Sequence, residues 1–121
     1  MKKILIACLA FSLLTACGGS GDKSKTVADA DLTKNPDYKK GLDLVAKNRC
    51  MTCHTVAEQL TGPAYKEVAK RYAGRPDTIV AHLANKVIHG GSGEWGNLVM
   101  TPNEVSQADA EAMVKYILLL K

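Results

Sequence analysis

The sequence predicts an all-α domain in which three longer helices and one short helix surround a bound group. Apolar residues recur at helical spacing in several segments, and no stretch alternates apolar and polar residues well enough to predict a strand. The helical segments fall within residues 36–121, and a domain of that size usually needs a disulfide, a metal or a cofactor for stability. Its cysteines, Cys50 and Cys53, do not link distant segments, so a bound group is expected.

Residues 1–16 have the pattern of a bacterial lipoprotein signal peptide. Two lysines precede an uncharged run, Ile4 to Ala16, which is too short to span a bilayer. The run ends in Leu-Thr-Ala before Cys17, as in a lipobox, where the cysteine is lipidated and becomes the first residue of the mature protein. The alternative is an ordinary secretory signal with a chance cysteine near its end.

Residues 17–35 are predicted to form the lipidated cysteine and a flexible linker. They are rich in Gly, Ser, Asp, Lys and Thr and poor in large apolar residues. The formal net charge of +4 falls to +2 when Lys2 and Lys3 leave with the signal peptide. So small a charge indicates neither nucleic acid nor an acidic membrane surface as a partner.

The first two helices are predicted on either side of the cysteines. The first begins at Asn35-Pro36, where the missing N–H of proline costs nothing, and runs toward Cys50. Its apolar residues at helical spacing are Tyr38, Leu42 and Val45. The second, shorter helix is predicted over 64–72 and stops at Gly74.

The last two helices flank a glycine-rich segment. The third helix is predicted to start at Pro76, with an apolar face of Ile79, Leu83 and Val87. Glycines after His89 end it, and residues 90–103 are predicted to be an irregular loop, long enough to suggest a function. The pattern from Ser106 to Asp109 resembles a capping box and opens the last helix. The apolar positions of that helix are Ala110, Met113, Val114, Ile117 and Leu118.

The motif with the clearest chemistry is Cys50-Met51-Thr52-Cys53-His54, the C-x-x-C-H pattern of c-type haem attachment. Each thiol adds across one vinyl group of the haem, and the two intervening residues let both sulfurs reach one edge of the macrocycle. His54 then follows as the proximal iron ligand. The motif therefore predicts one haem c, covalently bound through Cys50 and Cys53.

Two other interpretations of the cysteine pair compete with haem. A thioredoxin-like redox pair has an activated first cysteine and normally lies in a βαβ context, which this sequence does not predict. Half of a zinc site would need further ligands, and the remaining histidines are His82 and His89.

The sixth iron position has five candidate ligands: Met51, His82, His89, Met100 and Met113. Met51 lies inside the attachment loop, Met113 fits the apolar face of the last helix, and His82 flanks an apolar stripe where exposure is expected. Met100 lies in the long loop and is the favoured ligand, with His89 or an open site as alternatives. Ligation by His and Met raises the reduction potential and fills both axial positions, which favours electron transfer over catalysis.

The run from Cys50 to Asn103 resembles the short bacterial class I cytochromes c. The matching pieces are CMTCH, GPAYKEVAKRYAG at 62–74, GGSGEWG and MTPN, followed by the amphipathic last helix. The resemblance covers nearly all of 36–121. It implies a small cytochrome c fold and Met100 as the distal ligand. The stretch WGNLVM departs from the proline-richer WGPxPM form, which bears on the stiffness of this loop.

The resemblance also implies roles for residues around the haem. The Pro63 carbonyl accepts a hydrogen bond from the second ring nitrogen of His54, which fixes the imidazole. Trp95 packs by a haem propionate, Asn103 supports the methionine sulfur, and Lys86 is a candidate partner for a propionate. A further implied contact joins Gly41 and Tyr116, where the first and last helices cross closely.

The expected function is electron transport and not enzymatic catalysis. Partners would be transient redox proteins of a respiratory system, at the periplasmic side of a bacterial membrane that holds the chain through the lipid on Cys17. Neither nucleic acid nor a small-molecule substrate is expected. Basic residues that could ring the haem edge are Lys47, Arg49 and Lys66. The alternatives are an open-site haem enzyme or gas sensor, and a haem-free thiol–disulfide protein.

Overall fold

The computed structural model describes residues 32–75 and 78–121. Its elements in chain order are helix α1 (Pro36–Lys47), a 3₁₀ turn (Cys50–Thr52), helix α2 (Tyr65–Arg71), helix α3 (Thr78–His89), strands β1 (Gly91–Gly93) and β2 (Gly96–Met100), and helix α4 (Gln107–Leu119). The predicted fold of three longer helices and one short helix is confirmed. The predicted signal peptide, Cys17 and the predicted helix start at Pro76 lie outside the described residues.

Helix α1 begins with a side-chain cap. The side-chain oxygen of Asn35 accepts a hydrogen bond of 2.9 Å from the backbone N–H of Asp37, and Pro36 occupies the first helical turn. The inward face differs from the predicted one, because Leu42 is 42% exposed while Gly41 and Val45 are buried. A glycine takes the inward position because helix α4 passes too close for a larger side chain.

The crossing of α1 and α4 is the tightest contact of the core. A Cβ atom at Gly41 would overlap the Cβ of Tyr116 and the carbonyl oxygen of Ala112. This is the close approach that the resemblance implied, and it requires glycine. The core cluster that surrounds the crossing consists of Val45, Tyr65, Met113, Tyr116 and Leu120.

Helix α4 also packs against α3, around Ala84, Ala110 and Val114. Its start is the predicted capping pattern. The Ser106 hydroxyl accepts a hydrogen bond of 3.2 Å from the N–H of Asp109 and donates one of 2.9 Å to the Asp109 carboxylate. Helix α4 therefore contacts α1, α2 and α3 and forms the centre of the domain.

The segment predicted as an irregular loop contains a short antiparallel hairpin, so that prediction was wrong for residues 91–100. Gly91 pairs with Met100 and Gly93 with Gly96, with an irregularity between them. Every residue of both strands except Met100 is exposed. The hairpin buries no face, and for that reason its sequence lacks the alternation that normally predicts strands.

No helix within residues 32–75 and 78–121 is both long enough and apolar enough to span a membrane.

Candidate functional site

A cavity of about 690 Å³ opens between the 3₁₀ turn, the hairpin and helix α4. Its size falls in the usual range for bound cofactors and ligands. The predicted site residues that line it are Cys50, Cys53, His54, Pro63, Trp95, Met100 and Asn103. The fold thus brings together residues from three segments of the chain, 50–54, the stretch at Pro63 and 95–103, around one space.

The two cysteines are presented by a tight turn. The backbone N–H groups of Cys53 and His54 both donate to the carbonyl of Cys50, at 3.2 and 3.1 Å. Arg49, just before the turn, has a φ of 55°, the left-handed conformation that reverses the chain after helix α1. Cys50 is half-buried, Cys53 is exposed, and both are free thiols at the cavity. This arrangement suits attachment of a group whose edge lies near the surface.

The structure disagrees with the two alternative interpretations of the cysteine pair. Burial raises the pKa of the Cys50 thiol, whereas the attacking cysteine of a thioredoxin-like pair has a lowered pKa. Within residues 32–75 and 78–121, no three side chains of His, Cys, Asp or Glu converge on a point that could hold a metal ion. Neither a reactive dithiol nor a zinc site is therefore built here.

The ring of His54 is held on three sides. Its Nδ1 lies 2.8 Å from the carbonyl oxygen of Pro63, as the resemblance implied. With Nδ1–H as the donor, Nε2 keeps a free lone pair for a metal ion. The Tyr65 ring stacks on the imidazole with centroids 5.3 Å apart and an interplanar angle of 18°. A Cβ atom at Gly62 would lie 2.7 Å from Nδ1, so the backbone there fits the ring because it has no side chain.

Sequence reasoning did not assign these roles to Gly62 and Tyr65. Both belong to the GPAY segment that carried part of the family resemblance. The motif therefore contained the signal for these residues. Their contacts with His54 could not be predicted from it, because they depend on how residues 62–65 fold back over the attachment turn. The backbone N–H of Gly62 donates to the Cys53 carbonyl at 2.7 Å and closes that fold.

Met100, the candidate distal ligand, is among the residues that line the same cavity as His54. It lies half-buried at the end of strand β2 and lines the cavity. His82 and His89 are exposed and do not line it, and Met51 is 43% exposed. Met113 also reaches the cavity from helix α4, but it is 1% exposed and packed in the main core cluster.

Trp95 and Asn103 lie beside Met100, with different contacts. The guanidinium of Arg71 lies 4.5 Å from the centroid of the Trp95 ring. The side-chain amide of Asn103 donates to the carbonyls of Val87 at 3.0 Å and Thr101 at 3.1 Å. Both of its hydrogens are therefore used to hold the chain that follows Met100 against helix α3. The support of the methionine sulfur that the resemblance implied stays a prediction.

The rim of the cavity carries both charge and apolar surface. Lys86 and Arg49 line it, while Lys47 pairs with Asp43 at 3.7 Å on the exposed side of helix α1. Strand β2 exposes Leu98 at 58% and Val99 at 68%. This rim is the surface through which a group in the cavity would meet other molecules.

The side chains at the cavity include the donor atoms that the predicted haem requires. Two free thiols, the imidazole of His54 and the thioether of Met100 line the same space, and they are the kinds of side chain that attach and ligate a c-type haem. The thioether of Met113 also lines it but is packed in the core. Apolar side chains form part of the remaining wall: Val45, Val68, Leu83, Val87, Val114 and Ile117. The residues present therefore fit a haem held through Cys50, Cys53, His54 and Met100.

Known proteins that are similar to this chain in sequence and fold are cytochromes c. The family model described as cytochrome c matches residues 38–121. Cytochrome c-552 of Hydrogenobacter thermophilus is 45% identical over 78 residues, which cover 64% of this chain and 79% of that protein. Cytochrome c-552 of Nitrosomonas europaea is 46% identical over 80 residues, with coverages of 65% and 77%. The crystal structure of the wild-type Nitrosomonas protein matches with a TM-score of 0.62 over 66% of this chain and 99% of that one.

Proposed function

This chain belongs to the cytochrome c family, and we propose on that premise that it passes single electrons between membrane-associated respiratory redox proteins. It carries a covalently attached c-type haem and is an electron carrier. The observation that supports the proposal is the position of Met100 in the same cavity as Cys50, Cys53 and His54. A site closed by two protein ligands leaves no open position for a substrate, so we infer that the protein is not an enzyme.

The haem, when bound, supplies the one-electron couple between Fe(III) and Fe(II). The protein fixes the ligand geometry, because the hydrogen bond to Pro63 and the stacking on Tyr65 orient the His54 ring. The apolar part of the wall would limit the contact of the haem with water, so the surroundings would rearrange little when the charge changes by one. One electron enters from a donor and one leaves to an acceptor, with no bond made or broken.

The exposed side of the site is the proposed contact with redox partners. Cys53 is exposed and Cys50 half-buried, so these cysteines would hold the haem with its thioether edge near the surface. Arg49 lines the same opening and Lys66 is exposed at the start of helix α2, which favours partners with acidic docking surfaces. Such electron-transfer contacts are small, wet and short-lived.

We further propose that lipid on Cys17 anchors the protein at the periplasmic side of a bacterial membrane. The lipobox pattern before Cys17 and the polar segment after it support this anchor. A doubly or triply acylated chain stays bound to a bilayer, whereas a single chain is released. Mass spectrometry of the membrane-extracted protein should find a mature chain that begins at acylated Cys17. A chain that is cut elsewhere and carries no lipid would contradict the anchor.

The decisive experiment replaces the proposed distal ligand. Met100→Ala should keep the haem, because both thioether bonds remain, but lose the far-red methionine-to-iron absorption band of the ferric protein. The reduction potential should fall by on the order of 0.1 V, a fraction of the roughly 0.8 V that axial ligands span.

His89→Ala is the matched control, because His89 was the rival ligand and is exposed outside the cavity. His89→Ala should leave both the methionine-to-iron absorption band and the reduction potential unchanged. A native protein with high-spin ferric haem at neutral pH would reject electron transfer and favour the open-site enzyme or gas sensor.

A further inference from the structure

The turn between strands β1 and β2 is held by side chains from two helices. It consists of Glu94 and Trp95, and each is contacted from the end of helix α2. The Tyr72 hydroxyl donates to Glu94 Oε2 at 3.3 Å, and the Arg71 guanidinium packs over the Trp95 ring. The second carboxylate oxygen, Glu94 Oε1, lies 3.5 Å from His82 Nε2 on helix α3. One carboxylate therefore connects the tip of the hairpin to two helices.

The charges around this contact are mixed. The groups that face His82 are Glu94 from the hairpin, Tyr72, Arg71 and Arg75 from the end of α2, and Lys86 one turn further along its own helix. Glu94 is thus the acidic side chain of this cluster, and Arg71 and Arg75 are basic side chains beside it. Burial first, and then the charge of Glu94, raise the pKa of Tyr72, so its hydroxyl stays protonated and able to donate.

The hairpin depends on such contacts because it has little buried surface. All of its strand residues except Met100 are exposed. Its base is held by the hydrogen bond from Gly90 to Lys86 and by the two hydrogen bonds of the Asn103 side chain. Its tip is held by Glu94 and by the packing of Arg71 on Trp95. A movement of the tip would also displace Met100, because strand β2 connects the two.

We propose that Glu94 is a positioning residue for Met100, which holds the hairpin tip through its contacts with Tyr72 and His82. The inference rests on the proposed function, in which Met100 is the distal ligand. The side chains are 49% and 37% exposed, which limits the His82–Glu94 contact to a 1.5- to 5-fold change in an equilibrium constant.

The test measures how readily Met100 leaves the iron. Added imidazole binds ferric haem only where the methionine is displaced, so its apparent affinity reports the fraction of molecules with an open site. The wild-type holoprotein, E94Q and H82Q are titrated with imidazole at the same neutral pH, and the affinity of each variant is compared with that of wild type. E104Q is the matched control, because Glu104 is exposed on the loop after Met100 and lies outside this cluster.

E94Q should bind imidazole about 2- to 5-fold more tightly than wild type, because both contacts of the hairpin tip with the carboxylate are weakened. H82Q removes one of these contacts and should show a smaller increase. E104Q should match wild type. Equal affinities of E94Q and wild type, or an equal effect of E104Q, would overturn the positioning role. An affinity of H82Q equal to that of wild type would overturn the contribution of His82.

The wild-type spectrum separates this inference from the proposed function. A ferric wild type without the methionine-to-iron band would reject Met100 as ligand and, with it, both proposals. A wild type with the band and variants without the expected changes would reject the role of Glu94 alone. Circular dichroism of each variant shows that the helices are retained, and a variant with lost helicity is replaced by Y72F, which removes the hydroxyl contact to Glu94.

Discussion

The two sides of the haem cavity are built by different means. On the attachment side, Tyr65 and Tyr116 pack in a core whose members are all under a tenth exposed, and helices α1 and α4 touch through Gly41. On the methionine side, an exposed hairpin carries Met100 and is held mainly by side-chain contacts at its tip and base. We therefore expect most of the stability to come from the attachment side and ligand exchange to occur on the methionine side.

Gly41→Ala should affect the attachment side most. Alanine favours a helix by about 1 kcal/mol over glycine, but overpacking against Tyr116 and the backbone of Ala112 costs more, for a net loss of about 2 kcal/mol. Urea unfolding measures the loss, and K39A, an exposed change on the same helix, is the control. The methionine-to-iron band should survive. A variant as stable as K39A would show that the crossing can relax.

Asn103→Ala should affect the methionine side instead. The change removes two hydrogen bonds that hold the loop after Met100, each worth about 1 kcal/mol or less at a partly exposed site. Imidazole should then displace the methionine roughly tenfold more readily, while the urea midpoint moves little. N85A, an exposed change on helix α3, should alter neither quantity. Parallel losses of stability and ligation would mean that the two sides unfold together.

Tyr65→Phe should have the smallest effect on stability of these substitutions, and the effect should appear at high pH. Burial raises the pKa of the Tyr65 phenol, so the unfolded chain, whose phenols ionise near pH 10, loses this proton first. Above pH 10 the unfolded state binds fewer protons than the native state, so stability falls as pH rises. The variant should lose less stability than wild type between pH 9 and 11, by about 1 kcal/mol.

The comparison between pH 6 and 8 is an internal control for the Tyr65 prediction, because phenols stay protonated there in both states. The difference between Y65F and wild type in urea midpoint should be constant over that range. A difference that changes there, or an equal alkaline loss in both proteins, would contradict a buried neutral phenol as its source.

Much of the attachment side could be predicted because local sequence rules determine it. The C-x-x-C-H spacing identifies a haem site without any tertiary information, and the caps at Asn35 and Ser106 follow from residues next to each helix. Leu42 shows the limit of periodicity. It has helical spacing with Tyr38, yet it is exposed, because the inward position belongs to a glycine whose role depends on a helix 75 residues away.

The methionine side was harder to predict, because the contacts that form it produce no periodic pattern of apolar residues in the sequence. The hairpin has neither alternation nor a buried face, and its tight geometry uses glycines with positive φ, such as Gly93 and Gly96. Met100 was identified through its loop and the resemblance, whereas the contacts of Glu94 join three segments and require the folded chain.

The spacing of the two cysteines also matters before the haem is attached. Cys50 is half-buried and Cys53 is exposed, and each can form a thioether bond only as a reduced thiol. Thiols two residues apart can also join in a disulfide, and that bond would leave neither sulfur for a vinyl group. We therefore expect haem attachment to require that both cysteines stay reduced until the thioether bonds form.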